Sequence, residues 1–428
     1  MKVRRYKNII ALESDPGRYI GFHSNSFEMA ELDFDAWRAM GNVALATHEA
    51  LGELDEWSQE ESSEVVDIDL PNTVQALSLN IAQVCNLHCT YCAAGGDGTY
   101  GSKTPKVDVS RATEQIRYFI DKLPEGETFA LKFFGGEPLL YPGAIRDIFR
   151  YTELYTAGSG KKVVYSITTN GTLITPKVAE LMAEMNMTVV ISIDGSAEAN
   201  DRARPTTKKG PSTPLTLKGI EELLKVRDRL SSISTNSVFG SHNMDILGAY
   251  HFLKQFNLDS MGLNYAPEKN DEKLSEQYCE QMALVAEAAY AEGGLEALLK
   301  ITQFSRPLKN IAHQVRTENH CGAGKTLLEA DTEGKLYACN WFMGDQKEVV
   351  GQDTDIFDDI KSWQNPLIEI HGCQTCWAKY LCGGGCAFMN KVKNDDKHVK
   401  DVEFCVRTRT LYALGIKYYA KSLENELN

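Results

Sequence analysis

Between residues 75 and 266 six short apolar runs alternate with five segments of helical period. The strand candidates are 75–82, 129–135, 162–169, 188–194, 232–238 and 260–266; the helical segments are 112–123, 144–155, 176–185, 217–230 and 246–256. This alternation constrains the fold more than any other feature. Parallel strands need long crossovers, and repeated βα units build one parallel sheet covered by helices. An open doubly wound sheet and a partial barrel both satisfy the pattern. In either, chemistry collects beyond the C-terminal ends of the strands. At 428 residues the chain is too long for one ordinary domain and calls for smaller units beside a large one.

Those units flank the alternating region. Near the N-terminus two runs, 7–13 and 18–24, surround Asp15-Pro16-Gly17 and read as a hairpin, followed by a helix over 33–54. An acidic, serine-rich stretch, 53–69, reads as a connection. From about 318 to 405 cysteine, glycine and turn residues replace the periodic pattern, and 409–427 reads as a closing amphipathic helix. The resulting division is 1–70, 71–310 and 311–428.

The net charge of −14 argues against nucleic acid or an anionic membrane as the main partner. No stretch approaches the roughly 20 apolar residues of a membrane span, and the basic N-terminal residues are not followed by the apolar core of a signal peptide. A cytoplasmic location is expected, where disulfides are rare. The eleven cysteines therefore need another explanation, and ten fall in spaced groups that point to metal or cluster ligation. Cys279, alone in a helical pattern, reads as a buried small hydrophobe.

Cys85, Cys89 and Cys92 follow the first strand directly, as CxxxCxxC. Three thiolates at this spacing can hold three irons of a cubane cluster and leave the fourth open to a ligand. Zinc is the competing reading, but structural zinc sites use four ligands in paired spacing, and no second pair lies near. Three further motifs end later strands: Gly135-Gly136-Glu137-Pro138, Thr168-Thr169-Asn170-Gly171-Thr172, and Ser192-Ile193-Asp194-Gly195 with Asp201-Arg202-Ala203-Arg204-Pro205 downstream. Glycines permit close backbone approach, and Glu137 offers an anionic acceptor.

This set, in this order, resembles the radical S-adenosylmethionine (SAM) superfamily over about residues 75–270. The resemblance implies a partial (β/α)6 barrel and one [4Fe–4S] cluster on Cys85, Cys89 and Cys92. It also implies SAM held by Gly135, Gly136, Glu137, Pro138, Asn170, Ser192 and Asp194, with an arginine, Arg204 over Arg202, on the carboxylate. By that analogy one electron cleaves SAM, and the 5′-deoxyadenosyl radical removes a hydrogen atom from the substrate. His88 and Tyr91 read as shaping the loop, and Asn264 and Tyr265 as facing the mouth of the barrel.

The later cysteines, Cys321, Cys339, Cys373, Cys376, Cys382, Cys386 and Cys405, resemble the SPASM extension of radical SAM enzymes. That resemblance implies two auxiliary [4Fe–4S] clusters: one on Cys321, Cys339 and Cys386, the other on Cys373, Cys376, Cys382 and Cys405. A zinc ribbon is the alternative for the CxxC pair. Anaerobic sulfatase-maturating enzymes place a further cysteine after the one matching Cys321 and an acid after the one matching Cys339. Here 321–331 holds no second cysteine, and Asn340 follows Cys339. An amide cannot take the proton that formylglycine formation releases. The first ~75 residues resemble the winged-helix recognition element of peptide-modifying relatives, which binds a leader as an added strand. CAAGGDGTYG (92–101) resembles a loop of ribosomal-peptide maturases. The expectation is a maturase that cross-links a precursor peptide through a thioether or carbon–carbon bond, with a low-potential donor such as flavodoxin or ferredoxin. Formylglycine formation and small-molecule dehydrogenation are the alternatives.

Overall fold

The computed structural model describes residues 2–60, 65–68, 70–92, 106–269 and 271–427; most of the 92–101 loop lies outside them. Two compact units emerge. The first is Met1–Asp69, Pro267–Cys321 and Pro366–Asn428; the second is Leu70–Ala266 and Gly322–Asn365.

In the first unit β1 (Val3–Tyr6), β2 (Ile9–Asp15), β3 (Arg18–His23) and β4 (Met29–Leu32) form an antiparallel sheet in sequential order. The hairpin is β2–β3; the outer strands of the sheet are only four residues long and carry little periodic signal. The segment read as one helix is two, α1 (Phe34–Gly41) and α2 (His48–Gln59). Extended backbone at Asn42 and a Thr47 N-cap, whose hydroxyl accepts from Ala50 N, separate them. The acidic stretch is helical to Gln59, and β5 (Val66–Ile68) pairs in parallel with a strand at Val315–Thr317.

In the second unit six parallel strands, β6 (Ala76–Ala82), β7 (Thr128–Gly135), β8 (Lys162–Thr169), β9 (Thr188–Ser192), β10 (Ser232–Phe239) and β11 (Ser260–Tyr265), lie in sequential order. The crossovers are α3 (Val109–Lys122), α4 (Pro142–Thr156), α5 (Pro176–Glu184), α6 (Ala197–Ala203), α7 (Thr213–Leu224) and α8 (Ile246–Leu253). One face of the sheet enters the helix-covered core through Leu77 and Leu79 of β6, Phe129, Leu131 and Phe133 of β7, Ile167 of β8 and Ile191 of β9. The other face carries polar residues, with Ser78, Lys132, Ser166 and Thr188 in one register row and Ser192 opposite Asn236 in another. Buried parallel sheets are usually apolar on both faces, so a polar inner face marks space kept for chemistry.

The first unit continues with α9 (Glu272–Leu299), α10 (Thr302–Ala312) and β12 (Val315–Thr317). The sheet of the second unit then gains four strands that the sequence pattern does not announce. β13 (Leu327–Ala330) pairs in parallel with β6, and β14 (Lys335–Tyr337), β15 (Val349–Gln352) and β16 (Asp355–Ile356) follow antiparallel, making ten. After α11 (Lys361–Gln364), the first unit closes with α12 (Leu367–Ile370), α13 (Lys379–Cys382), α14 (Ala387–Asn394) and α15 (Val402–Leu427). Among the described residues no helix is long and apolar enough to cross a membrane.

Candidate active site

The cysteine loop hangs from the end of β6 and is tied to three neighbouring strand ends. Gly136 N donates to Ala82 O (2.7 Å) and Glu137 N to Val84 O (2.9 Å). A Cβ on Gly135 would meet Ala82 O at 2.4 Å, and one on Gly136 would meet Val84 O at 2.3 Å, so only glycine fits. Pro138 opens the short turn that follows. The Glu137 carboxylate is fully buried and accepts from Leu139 N, Thr169 Oγ1 and Asn170 N at 2.7–2.9 Å. Burial raises its pKa, and these donors oppose the shift.

From the end of β8, Asn170 Nδ2 donates to Asn86 Oδ1 (2.9 Å) and lies 3.7 Å from Cys85 Sγ. Leu87 N also donates to that sulfur, at 3.4 Å. Beyond β9, the buried Asp194 accepts from Val238 N (3.1 Å) and from the Tyr91 hydroxyl (2.5 Å). Arg204 Nη1 donates to the same hydroxyl at 2.5 Å. Arg204 is buried, whereas Arg202, on α6, is exposed. Ser192 is half-buried at the end of β9, opposite Asn236. Tyr91 thus joins an acid to a cation and stacks on His242 with centroids 4.5 Å apart. The sequence marked Tyr91 only as a loop residue, because its partners lie more than 100 positions away.

The donor set suits a cluster. Cys85, Cys89 and Cys92 are close enough to act on one another electrostatically, and burial pushes Cys85 up to about 12. A buried thiol such as Cys85 needs a cationic centre to become a ligand. Among the described residues no three His, Cys, Asp or Glu side chains close on a single-ion position; a cubane cluster asks instead for one thiolate per iron. The buried Arg204 suits the carboxylate of an amino-acid group.

Residues 79–253 match the family model of the radical SAM superfamily. These residues carry a radical SAM domain. The radical SAM cyclopropyl synthase TigE of Paramaledivibacter caminithermalis is 27% identical over 225 residues, covering 49% of this chain and 45% of TigE; the match therefore spans less than half of that relative. The serine-type anaerobic sulfatase-maturating enzyme of Klebsiella pneumoniae is 26% identical over 348 residues, covering 74% of this chain and 82% of that protein. Among solved structures, anSMEcpe with bound AdoMet superposes with a TM-score of 0.69 at 17% identity, covering 82% of this chain and 99% of that one. Streptococcus suis SuiB bound to its precursor peptide SuiA gives 0.54 at 14%, covering 94% and 100%. Both likenesses describe the radical SAM fold.

Away from the strand ends, the first unit gathers a second set of thiols. Cys373 and Cys376 flank a single turn, Cys382 ends α13 and Cys405 lies in the first turn of α15. Cys382 feels Cys405, Cys376 and Cys373, and burial pushes it up to about 12. Cys386, pushed up to about 11 by burial, also feels Cys321. Between Cys382 and Cys386, Gly383, Gly384 and Gly385 take φ of +68°, +88° and +95°. A Cβ on Gly384 would lie 2.2 Å from Ile368 N. Cys339 belongs to the second unit, where Asn340 Oδ1 lies 3.7 Å from its sulfur. Cys279 is half-buried in α9. Asn264 Nδ2 donates to Asn236 Oδ1 at 2.5 Å.

One acidic residue escaped the sequence reading. Glu329 on β13 is buried on the polar inner face, in register with Ser78 and, through it, Lys132. Burial pushes its carboxyl up to about 7, against the Ser78 hydrogen bond and the Lys132 ammonium.

Proposed function

We propose that the chain is a radical SAM maturase that removes a hydrogen atom from a ribosomally made precursor peptide and forms a thioether or carbon–carbon cross-link. The observation that carries this reading is the Cys85–Cys89–Cys92 loop tied to Glu137, Asn170, Asp194 and Arg204. Cys85, Cys89 and Cys92 would hold the first [4Fe–4S] cluster, and Arg204 with the Glu137 latch would hold SAM. Together these groups supply hydrogen-atom abstraction when bound. Two auxiliary clusters would use Cys321, Cys339 and Cys386, and Cys373, Cys376, Cys382 and Cys405. A low-potential flavodoxin or ferredoxin would deliver electrons.

The polar inner face would receive the peptide, and Glu329, whose carboxyl burial pushes up to about 7, would accept a proton released as the cross-link forms. Support for a peptide comes from the likeness to SuiB bound to its precursor peptide SuiA. The antiparallel sheet of the first unit would bind the leader along β1, beside a cleft of about 450 Å³ lined by Lys2, Arg4, Arg5 and Arg38.

The test is the intact mass of small peptides encoded beside the gene after anaerobic co-expression. Loss of two hydrogens per modified site supports cross-linking, and thiol labelling separates thioether from carbon–carbon bonds. Unchanged peptides with SAM still cleaved would sink the peptide reading and favour a small molecule or a protein substrate.

A further inference from the structure

The six parallel strands β6–β11 contain no aspartate or glutamate. Two cations lie on them: Lys162, exposed where β8 begins, and Lys132, half-buried in the middle of β7. Lys132 stands on the inner face, in the row Glu329, Ser78, Lys132, Ser166. Taking an ammonium partly out of water costs free energy unless an anion meets it. A face with this cation and no acid on its six parallel strands therefore calls for an anionic occupant.

Glu329 on β13 is the acid of that row, and it does not fill the role. It stands two strands from Lys132 with Ser78 between, so the two backbones are about 10 Å apart. An ammonium in contact pulls a carboxyl below its ordinary range. The Glu329 carboxyl instead stays up at about 7, because burial outweighs Lys132. The acids at the strand ends are engaged as well: Glu137 by Leu139 N, Thr169 and Asn170, and Asp194 by Tyr91 and Val238 N. Beside Lys132, Ser166 of β8 adds a half-buried hydroxyl. Two residues further along the same face of β7, Phe134 packs edge-on against Trp341 with centroids 6.2 Å apart, and Trp341 is 37% exposed. An ammonium and a hydroxyl next to an apolar wall suit a side chain with an apolar stem and an anionic tip.

We propose that Lys132, with Ser166 beside it, binds the side-chain carboxylate of an aspartate or glutamate of the precursor peptide, and so selects which residue is presented for hydrogen abstraction. The proposal rests on the reading of the substrate as a peptide. Lys132 lies three residues before Gly135, about 10 Å along the strand from its C-terminal end. A carboxylate held there leaves the neighbouring peptide residues at the strand ends, where the chemistry of such sheets collects. Charge-assisted hydrogen bonds are stronger in a half-buried site than in water, so one acid is enough to fix the register of the peptide.

A double-mutant cycle on the reconstituted full-length enzyme tests this, with the peptide that co-expression shows to be modified as the probe. Each Asp and Glu of that peptide is changed in turn to Asn or Gln, against wild type and against Lys132→Met. The readouts are kcat/KM and peptide binding by fluorescence anisotropy in the presence of SAM. For one acid the amide should cost the wild type about tenfold to a hundredfold, mostly through weaker binding, and cost Lys132→Met almost nothing. Iron content and SAM affinity in equilibrium dialysis should stay at wild-type levels. Additive losses at every acid, or a modified peptide without an acid, would overturn the proposal alone. So would a loss of SAM affinity in Lys132→Met, which would place the carboxylate of SAM on this ammonium. Where Lys132→Met folds poorly, Lys132→Gln carries the same cycle. If no peptide is modified while SAM is still cleaved, the peptide reading falls and takes the proposal with it.

Discussion

The two cysteine regions are held in opposite ways. Cys85, Cys89 and Cys92 hang from a ten-stranded sheet, and backbone hydrogen bonds fasten their loop to residues 203–205 through His88 N to Pro205 O and Thr90 N to Ala203 O. Cys373, Cys376 and Cys382 sit on turns and helices of three or four residues, with three positive-φ glycines between Cys382 and Cys386. Helices that short are not stable alone. The first region is preorganised by the fold, whereas the second has little regular structure around its thiols.

Iron removal should break the comparison most visibly. Chelation is expected to abolish amide-exchange protection over 366–405 while strands β6–β11 stay protected. Equal loss in both regions would show that the parallel strands also depend on bound iron. Next in size is a metal-independent anchor of the first unit. Asp271, 1% exposed, pairs with Arg407 at 2.9 Å and also with Lys393. Asp271→Asn leaves Arg407 short of a buried counter-charge and should cost about 3–5 kcal/mol in denaturant unfolding. A smaller loss would mean that the clusters carry that unit.

Glycine substitutions sharpen the contrast further. Gly136→Ala and Gly384→Ala each place a Cβ within 2.3 Å of backbone, at a cost of about 2–3 kcal/mol. The first should weaken SAM binding in equilibrium dialysis with the fold retained. The second should lower iron retention by the C-terminal cysteines. The last effect is a slope. The folded Glu329 carboxyl titrates at about 7, above its ordinary 4.5. Its protonated form therefore favours folding below 4.5, and that contribution is lost as pH rises to 7. Glu329→Gln should remove a decline of about 1.4 kcal/mol per pH unit within that window. An unchanged slope would show that Glu329 is not buried in the folded state.

The strands were legible because β-branched runs and their turn residues are local signals: the six expected strands agree with β6–β11 to within about two residues. β13–β16 were not, since strands of two to four residues carry no period and owe their place to the edge of β6. The break of the 33–54 helix at Asn42 was also missed, because extended backbone there outweighs helix-compatible neighbours.

By itself, the sequence determined the alternation that builds a parallel sheet and the cysteine spacings that suit clusters, because periodicity and spacing are properties of the chain. Only the tertiary structure decided that Arg204 is buried beside Asp194 while Arg202 faces solvent, that Tyr91 joins Arg204 to Asp194, and that Glu329 lies on the inner face. Those outcomes depend on residues far apart in sequence meeting in a low-dielectric interior, where partners rather than residue types set ionisation and role.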